Sequence, residues 1–75
     1  MNYYLVQYFE NGSWGADAWR SYRHRTLNLG EATRFYGEAV IDYRKIYDIR
    51  LIKAFDDSNG KPRPLEILEF KKAKP

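Results

Sequence analysis

The sequence contains no cysteine and a single histidine, His24. Without cysteine the chain cannot form disulfides, thiolate zinc sites or a cysteine nucleophile, and one histidine cannot build a multi-histidine metal site. No apolar run approaches the roughly 18 residues of a membrane-spanning helix, and the N-terminus lacks the basic start of a secretory signal. We therefore expect a cytoplasmic protein with no metal and no cofactor.

Length and composition predict one small folded domain. The chain has 75 residues, of which 44% are hydrophobic and 17% aromatic, more than a disordered chain carries. A chain of this length buries one thin core and leaves no room for a second domain. The net charge of +3 is mild and falls below that of a dedicated nucleic-acid-binding arm. We assign residues 1–70 to the domain and residues 71–75 to a frayed basic tail.

Two segments near the N-terminus favour strands. Residues 3–10 are rich in tyrosine, valine and phenylalanine, and neither face of the alternation is plainly polar. Asn11-Gly12 then predicts a tight hairpin, because both residues tolerate the positive φ of a type I′ turn. The returning strand begins with poor strand formers at residues 15–17, where we expect a bulge, and it should pair clearly over residues 18–25.

One helix is predicted over residues 28–43. Asn28 is a good N-cap, and Glu31 stands at the third helical position, as in a capping box. Gly30 and Gly37 weaken the helix, which therefore needs a sheet to lie on. The apolar stripe at helical spacing consists of Ala32, Phe35, Tyr36, Ala39, Val40 and Tyr43.

Two more strands follow the helix. Residues 46–55 alternate well, and we expect the face that carries Ile49 and Leu51 to point to the core. A dense turn signal at residues 56–60 is followed by two prolines, which should delay re-entry into the sheet. The last strand is therefore expected over residues 65–70, at an edge.

This order of elements predicts a single α+β domain. One helix should cover one face of a three- or four-stranded, mainly antiparallel sheet in the order β-β-α-β-β. A strand–helix–strand passage favours a parallel or a skipped pairing between its flanking strands. The second and third strands need not be neighbours, and the first and third could pair at the centre of the sheet, so the sequence leaves the strand order open.

The residues do not form a recognisable catalytic constellation. Ser21 and His24 lie three apart on one predicted strand and point to opposite faces, so they make a poor nucleophile–base pair. Asp56 and Asp57 are adjacent in a turn, where aspartates cap backbone groups. A calcium loop over the same turn fails because Phe55 occupies the first ligand position. We predict that the protein is not an enzyme.

The strongest functional signal is a segment that interleaves aromatic rings with basic residues on the second strand. Tryptophan, tyrosine and arginine are enriched at the energetic centres of protein interfaces. We therefore expect this segment to bind a host or cognate protein, as a small inhibitor or regulator would. The expected anchors are Trp19, Arg20, Tyr22, Arg23 and Arg25.

Two alternatives remain open for the same segment. Cations beside rings also bind single-stranded nucleic acid, through phosphate contacts and base stacking. Such binding would be weak and salt-sensitive. Its residues would be Arg23, Arg25, Lys71, Lys72 and Lys74. The other alternative is structural: the rings cover the sheet while the arginines keep the surface soluble.

The aromatic content also suggests self-association. Seven tyrosines, four phenylalanines and two tryptophans are more rings than one helix on one sheet can bury. An exposed aromatic sheet face usually binds a partner or a second copy. A homodimer through that face or through the edge strand is therefore a further expectation.

The helix sequence LGEATRFY at residues 29–36 and the strand sequence YDIRLI at residues 47–52 belong to a strand–helix–strand plan over residues 3–55. This plan resembles small, cysteine-free accessory proteins of bacteriophages and mobile elements. The resemblance implies a non-enzymatic protein that binds a host factor, such as a polymerase or a defence nuclease. The chain departs from the acidic, nucleic-acid-mimicking members because it is net positive, and no functional residue can be carried over.

Overall fold

The computed structural model describes residues 1–10, 18–43 and 46–73. The elements in these ranges are β1 (Tyr3–Phe9), β2 (Trp19–Thr26), α1 (Leu29–Tyr43), β3 (Asp48–Asp56) and β4 (Pro62–Lys71). The strands form one antiparallel sheet in the order β2-β1-β3-β4. The predicted α+β class and the element order are confirmed, and β1 pairs with β3 at the centre of the sheet. The turn expected at residues 11–12 and the bulge expected at 15–17 lie outside the described residues.

The N-terminus of α1 is capped as the sequence predicts. The side-chain oxygen of Asn28 accepts a hydrogen bond from the Glu31 N–H at 2.9 Å, and the Asn28 N–H donates to Thr26 Oγ1 at 3.0 Å. The cap satisfies one of the donors that the first helical turn leaves without an intrahelical partner.

The core between α1 and the sheet consists of Val6, Ala32, Phe35, Ala39, Ile49 and Leu51.

A second core lies on the face of the sheet away from α1. It consists of Tyr3, Leu5, Ile52 and Ala54, each at most 5% exposed. The expectation that the face of β3 with Ile49 and Leu51 points to the core is confirmed, and the opposite face, with Ile52 and Ala54, is buried as well. Long side chains cover part of this outer face: the Arg25 guanidinium lies 4.0 Å from the centre of the Tyr3 ring.

β4 begins earlier than predicted, at Pro62 instead of residue 65. Pro62 pairs with Asp56, and Pro64 pairs with Ala54. Proline has no N–H to donate, so a sheet tolerates it where that position faces outward from an edge strand. The expectation that β4 lies at an edge is confirmed, but the prolines belong to the strand and do not delay it.

The C-terminal end of β4 extends slightly past the predicted domain boundary at residue 70. The strand ends at Lys71, and the backbone N–H of Ala73 donates to Asp48 Oδ1 at 2.7 Å. The first part of the basic segment is therefore fixed to the start of β3.

β2 is irregular at Arg23, whose φ is 60°. This left-handed conformation costs a residue with a side chain about 1–2 kcal/mol. The pairing of β2 with β1 shifts register over the same stretch, between Tyr4 and Val6. Such an irregularity bends the strand and redirects the side chains that follow it.

No helix in the described part of the chain is long and apolar enough to cross a membrane.

Candidate anion-binding cleft

A cleft of about 230 Å³ opens on the face of the sheet away from α1. Its lining residues are Gln7, Trp19, Arg20, Ser21, Arg50, Lys61, Pro62 and Arg63. The tip of the β3–β4 hairpin thus reaches across the sheet toward β2, although β2 and β4 are opposite edges. Small-molecule pockets usually measure roughly 300–1,000 Å³. This cleft is therefore sized for a side chain or a small anion and not for a large cofactor.

Arg50 lies at the centre of the cleft. Its Nε donates to Gln7 Oε1 at 2.8 Å, and its guanidinium carbon lies 3.9 Å from the centre of the Trp19 ring. Gln7 is only 4% exposed, so its amide is held in place and orients the guanidinium. Burial lowers the pKa of Arg50 below its usual value, because the charged form loses water. A stacked guanidinium can still direct its in-plane Nη–H groups at a carboxylate or a phosphate.

Arg50 differs from the neighbouring arginines in its partners. Arg20 pairs with Glu10 at 3.0 Å, and Arg63 pairs with Asp57 at 2.7 Å. Within the described residues, no carboxylate lies within ion-pair distance of Arg50. Arg50 is therefore a half-buried cation whose described partners, Gln7 and a tryptophan ring, are both neutral.

The predicted protein-binding anchors do not share one surface. Trp19 and Arg20 line the cleft, whereas the other three join β2 to other elements. The Tyr22 hydroxyl donates to Asp42 Oδ2 of α1 at 2.8 Å. Arg23 pairs with Glu38 of α1 at 2.7 Å, and Arg25 pairs with Asp56 of β3 at 2.8 Å.

Sequence reasoning missed the cleft residues outside β2, namely Gln7, Arg50, Lys61, Pro62 and Arg63. One signal was present: Arg50, like Lys53, is a charged residue among the apolar residues of β3, and Arg50 is half-buried, where a charge needs a compensating partner. The contribution of Lys61 and Arg63 carries no local signal, since it depends on how far the hairpin reaches across the sheet.

The residues of the nucleic-acid alternative are also dispersed. Both arginines belong to β2, but Arg23 pairs with Glu38 of α1 and Arg25 pairs with Asp56 at the end of β3. Lys71 pairs with Ile49, at the opposite end of β3 from Asp56. Lys72 is exposed beyond the end of β4, and Lys74 lies outside the described residues. No single groove along the described chain joins these cations.

A second depression of about 430 Å³ lies at the other end of the sheet. It is lined by Met1, Tyr3, Arg25, Thr26, Leu27 and Asp56. The Tyr3 hydroxyl donates to Asp56 Oδ1 at 2.6 Å, and Arg25 donates to Asp56 Oδ2 at 2.8 Å. These hydrogen bonds, from Arg25 first and Tyr3 second, hold the pKa of Asp56 below its usual value. The charged groups of this depression satisfy one another and leave little to bind a ligand.

The described residues contain no cluster of three or more histidine, cysteine, aspartate or glutamate side chains that could hold a metal ion. His24 lies at the surface, with Nε2 3.8 Å from Glu31 and its ring 5.1 Å from the ring of Phe35. Neither of these contacts brings a hydroxyl nucleophile to His24.

Comparison with known proteins finds no match to this chain, whether among protein-family models, curated proteins or solved structures. The resemblance to phage and mobile-element accessory proteins therefore stays a prediction. Any functional assignment rests on the chemistry of the cleft.

Proposed function

We propose that this protein is a non-enzymatic binding module whose partner is a protein that places a carboxylate side chain in the cleft. The observation that carries the proposal is Arg50, half-buried and paired only with neutral groups among the described residues. A partly desolvated charge is costly until an opposite charge compensates it. By occupying the acidic site of its partner, the protein would act as an inhibitor or regulator.

The surroundings of Arg50 support a protein interface. Trp19 and Arg50 are residue types that dominate binding energy when they lie in a well-packed pocket. Ser21 and Pro62 line the same cleft and can exclude water around the contact. A carboxylate that meets both Nη groups of Arg50 forms a bidentate pair, the strongest kind of hydrogen-bonded ion pair.

Two observations favour a protein over single-stranded nucleic acid. Base stacking needs an open ring face. Arg50 covers one face of the Trp19 ring, and the centre of the Phe9 ring lies 5.3 Å from the centre of the Trp19 ring, edge to face. The phosphate backbone needs several uncompensated cations, but Glu10 and Asp57 already neutralise Arg20 and Arg63.

A titration followed by nuclear magnetic resonance tests the proposal. The probes are a short polyglutamate peptide and a single-stranded oligothymidylate of equal charge. We expect the peptide to shift the Trp19 indole N–H and the Arg50 Nε–H, and to bind more tightly than the oligonucleotide. Arg50→Gln should weaken peptide binding by about tenfold or more, because a charge-assisted pair is lost.

Arg34→Gln is the matched control for this titration. It removes the same charge from an exposed position on α1, and it should leave peptide binding within about twofold of wild type. Equal losses in the two variants would show attraction to net charge alone and would refute the role of Arg50. Tighter binding of the oligonucleotide would replace the protein partner with nucleic acid.

A further inference from the structure

The outer side of β4 has the features of an interface. Leu65 and Ile67 are each 53% exposed, and Phe70 is 50% exposed. The strand has 10 residues, which is long for an edge. Proteins usually shorten or charge such an edge, because its unpaired N–H and C=O groups can pair with another strand. Here prolines stand at one end and lysines at the other, and residues 65–70 between them combine exposed apolar side chains with Glu66 and Glu69.

An irregularity in β4 brings two of these apolar side chains to one face. Ile67 pairs with Ile52, and Phe70 pairs with Arg50. Ile52 and Arg50 are two apart on β3 and point to the same face, which is the face away from α1. Ile67 and Phe70 therefore share that face, although they are three apart. The register shift between Leu51 and Ile52 makes this possible.

Two charged residues of β4 share the other face. Glu66 pairs with Lys53, and Lys71 pairs with Ile49. Lys53 and Ile49 are four apart on β3, and Ile49 belongs to the core beneath α1. Glu66 and Lys71 therefore point to the α1 side of the sheet, where Glu66 is negative and Lys71 positive.

We propose that β4 pairs antiparallel with the β4 of a second copy of this chain, about a two-fold axis between residues 68 and 69. This register places Glu66 opposite the partner's Lys71 and Ile67 opposite the partner's Phe70. Each pair occurs twice by symmetry. In each of these pairs the two side chains lie on the same face of the sheet. The ion pairs therefore form on the α1 side, and the apolar pairs form on the opposite side.

The charge pattern disfavours two of the shifted registers. Moving the axis one residue toward the N-terminus sets Glu66 opposite the partner's Glu69 and Arg63 opposite the partner's Lys72. Moving the axis onto Glu69 sets the two Glu69 side chains opposite each other. Like charges that lie directly opposite destabilise a strand pair, whereas opposite charges and apolar pairs stabilise it. In the proposed register β4 is complementary to its own sequence. We therefore infer that its partner strand is the β4 of a second copy.

The pairing does not rest on the proposed function, but it lies beside the cleft. The cleft takes only Pro62 and Arg63 from β4, whereas Phe70 of the proposed interface pairs with Arg50 at the centre of the cleft. The paired sheet would have eight strands, and both clefts would open on the same side of it.

The test is the dissociation constant of the dimer, measured on the full chain by sedimentation equilibrium over a concentration series. Lys71→Glu sets like charges opposite each other at both symmetric positions, and we expect it to raise the dissociation constant by about tenfold or more. Glu66→Lys should have the same effect. The double variant Glu66→Lys/Lys71→Glu restores opposite charges and should return to within about threefold of wild type.

Lys72→Glu is the matched control, because it changes the net charge by the same amount as Lys71→Glu but lies opposite the partner's Leu65. Its dissociation constant should stay within about threefold of wild type. Amide resonances of residues 65–70, and not those of β2, should shift on dilution. A chain that stays monomeric at every concentration, a dimer that uses β2, or a double variant as weak as the single ones would overturn the proposal. Thermal unfolding checks that each variant keeps the fold, which we expect because these side chains are exposed.

Discussion

The hydroxyl of Tyr3 makes the stability of the fold sensitive to alkaline pH. Tyr3 is 5% exposed, its hydroxyl donates to Asp56 Oδ1 at 2.6 Å, and the Arg25 guanidinium lies over its ring. Burial raises the pKa of Tyr3, and the hydrogen bond to the Asp56 carboxylate raises it further, from 10.0 to about 12. The folded protein therefore holds Tyr3 neutral at a pH where an unfolded chain has ionised it.

The sign and size of the effect follow from this difference. The contribution of Tyr3 to the free energy of unfolding is complete below pH 10 and is lost as the pH rises from about 10 to about 12. The pKa of Tyr3 in the folded protein and its ordinary value in the unfolded chain differ by an amount that corresponds to about 2.7 kcal/mol at most. Screening by solvent at this end of the sheet reduces the expected loss to about 1–2 kcal/mol.

Tyr3→Phe removes the hydroxyl and keeps the ring. At neutral pH this variant should be less stable than wild type by about 1 kcal/mol, because it lacks the hydrogen bond to Asp56. Above pH 10 only the wild type loses stability at this position. The difference should therefore shrink and then change sign near pH 11, so that the variant becomes the more stable protein.

Urea unfolding followed by tryptophan fluorescence, from neutral pH to about pH 11.5, measures this difference. Asp56→Asn is a useful second variant, because it removes the carboxylate and leaves the burial of Tyr3 in place. We expect its alkaline loss to be smaller than that of wild type and still present. If wild type and Tyr3→Phe differ by the same amount at every pH, the hydroxyl contributes only packing and this reasoning is refuted.

Two further substitutions test the backbone. Because Arg23 has a φ of 60°, Arg23→Gly should be more stable than Arg23→Ala by about 1 kcal/mol in urea unfolding, the reverse of the order in an ordinary strand. The opposite order would show that no strain is stored there. A Cβ at Gly37 meets nothing within 4 Å, so Gly37→Ala should raise the free energy of unfolding by about 0.5–1 kcal/mol. Gly30→Ala should gain less, because its Cβ would lie 3.1 Å from Asn28 Oδ1, and equal gains would contradict this explanation.

Local signals in the sequence predict the elements and the fold class, and they allow the central pairing of β1 with β3 without fixing the strand order. The Asn28 cap and the apolar stripe of α1 specify the helix without help from the rest of the chain. The skipped pairing of β1 with β3 is one of the arrangements that the helix between β2 and β3 favours. These features depend on residues that are close in sequence or on general rules of connection.

The cleft and the second core could not be predicted in the same way. Gln7 orients Arg50 from 43 residues away, and neither residue signals the other. Alternation assigns Ile52 and Ala54 to an outer face, because it does not tell which side chains will cover a central strand. The rule that proline delays a strand does not hold for Pro62, because its missing N–H costs the sheet little at an edge.

The position of β1 determines how the chain can fail to fold. β1 is central and takes both of its neighbours from later in the chain, and its Tyr3 pairs with Ala54. During synthesis the segment YYLVQYF must wait for β3 to emerge. It has high strand propensity, no charge, no proline and no glycine, which is the composition of segments that stack into cross-β fibrils. The strand that closes the centre of the native sheet is therefore also the segment from which incompletely folded chains are expected to aggregate.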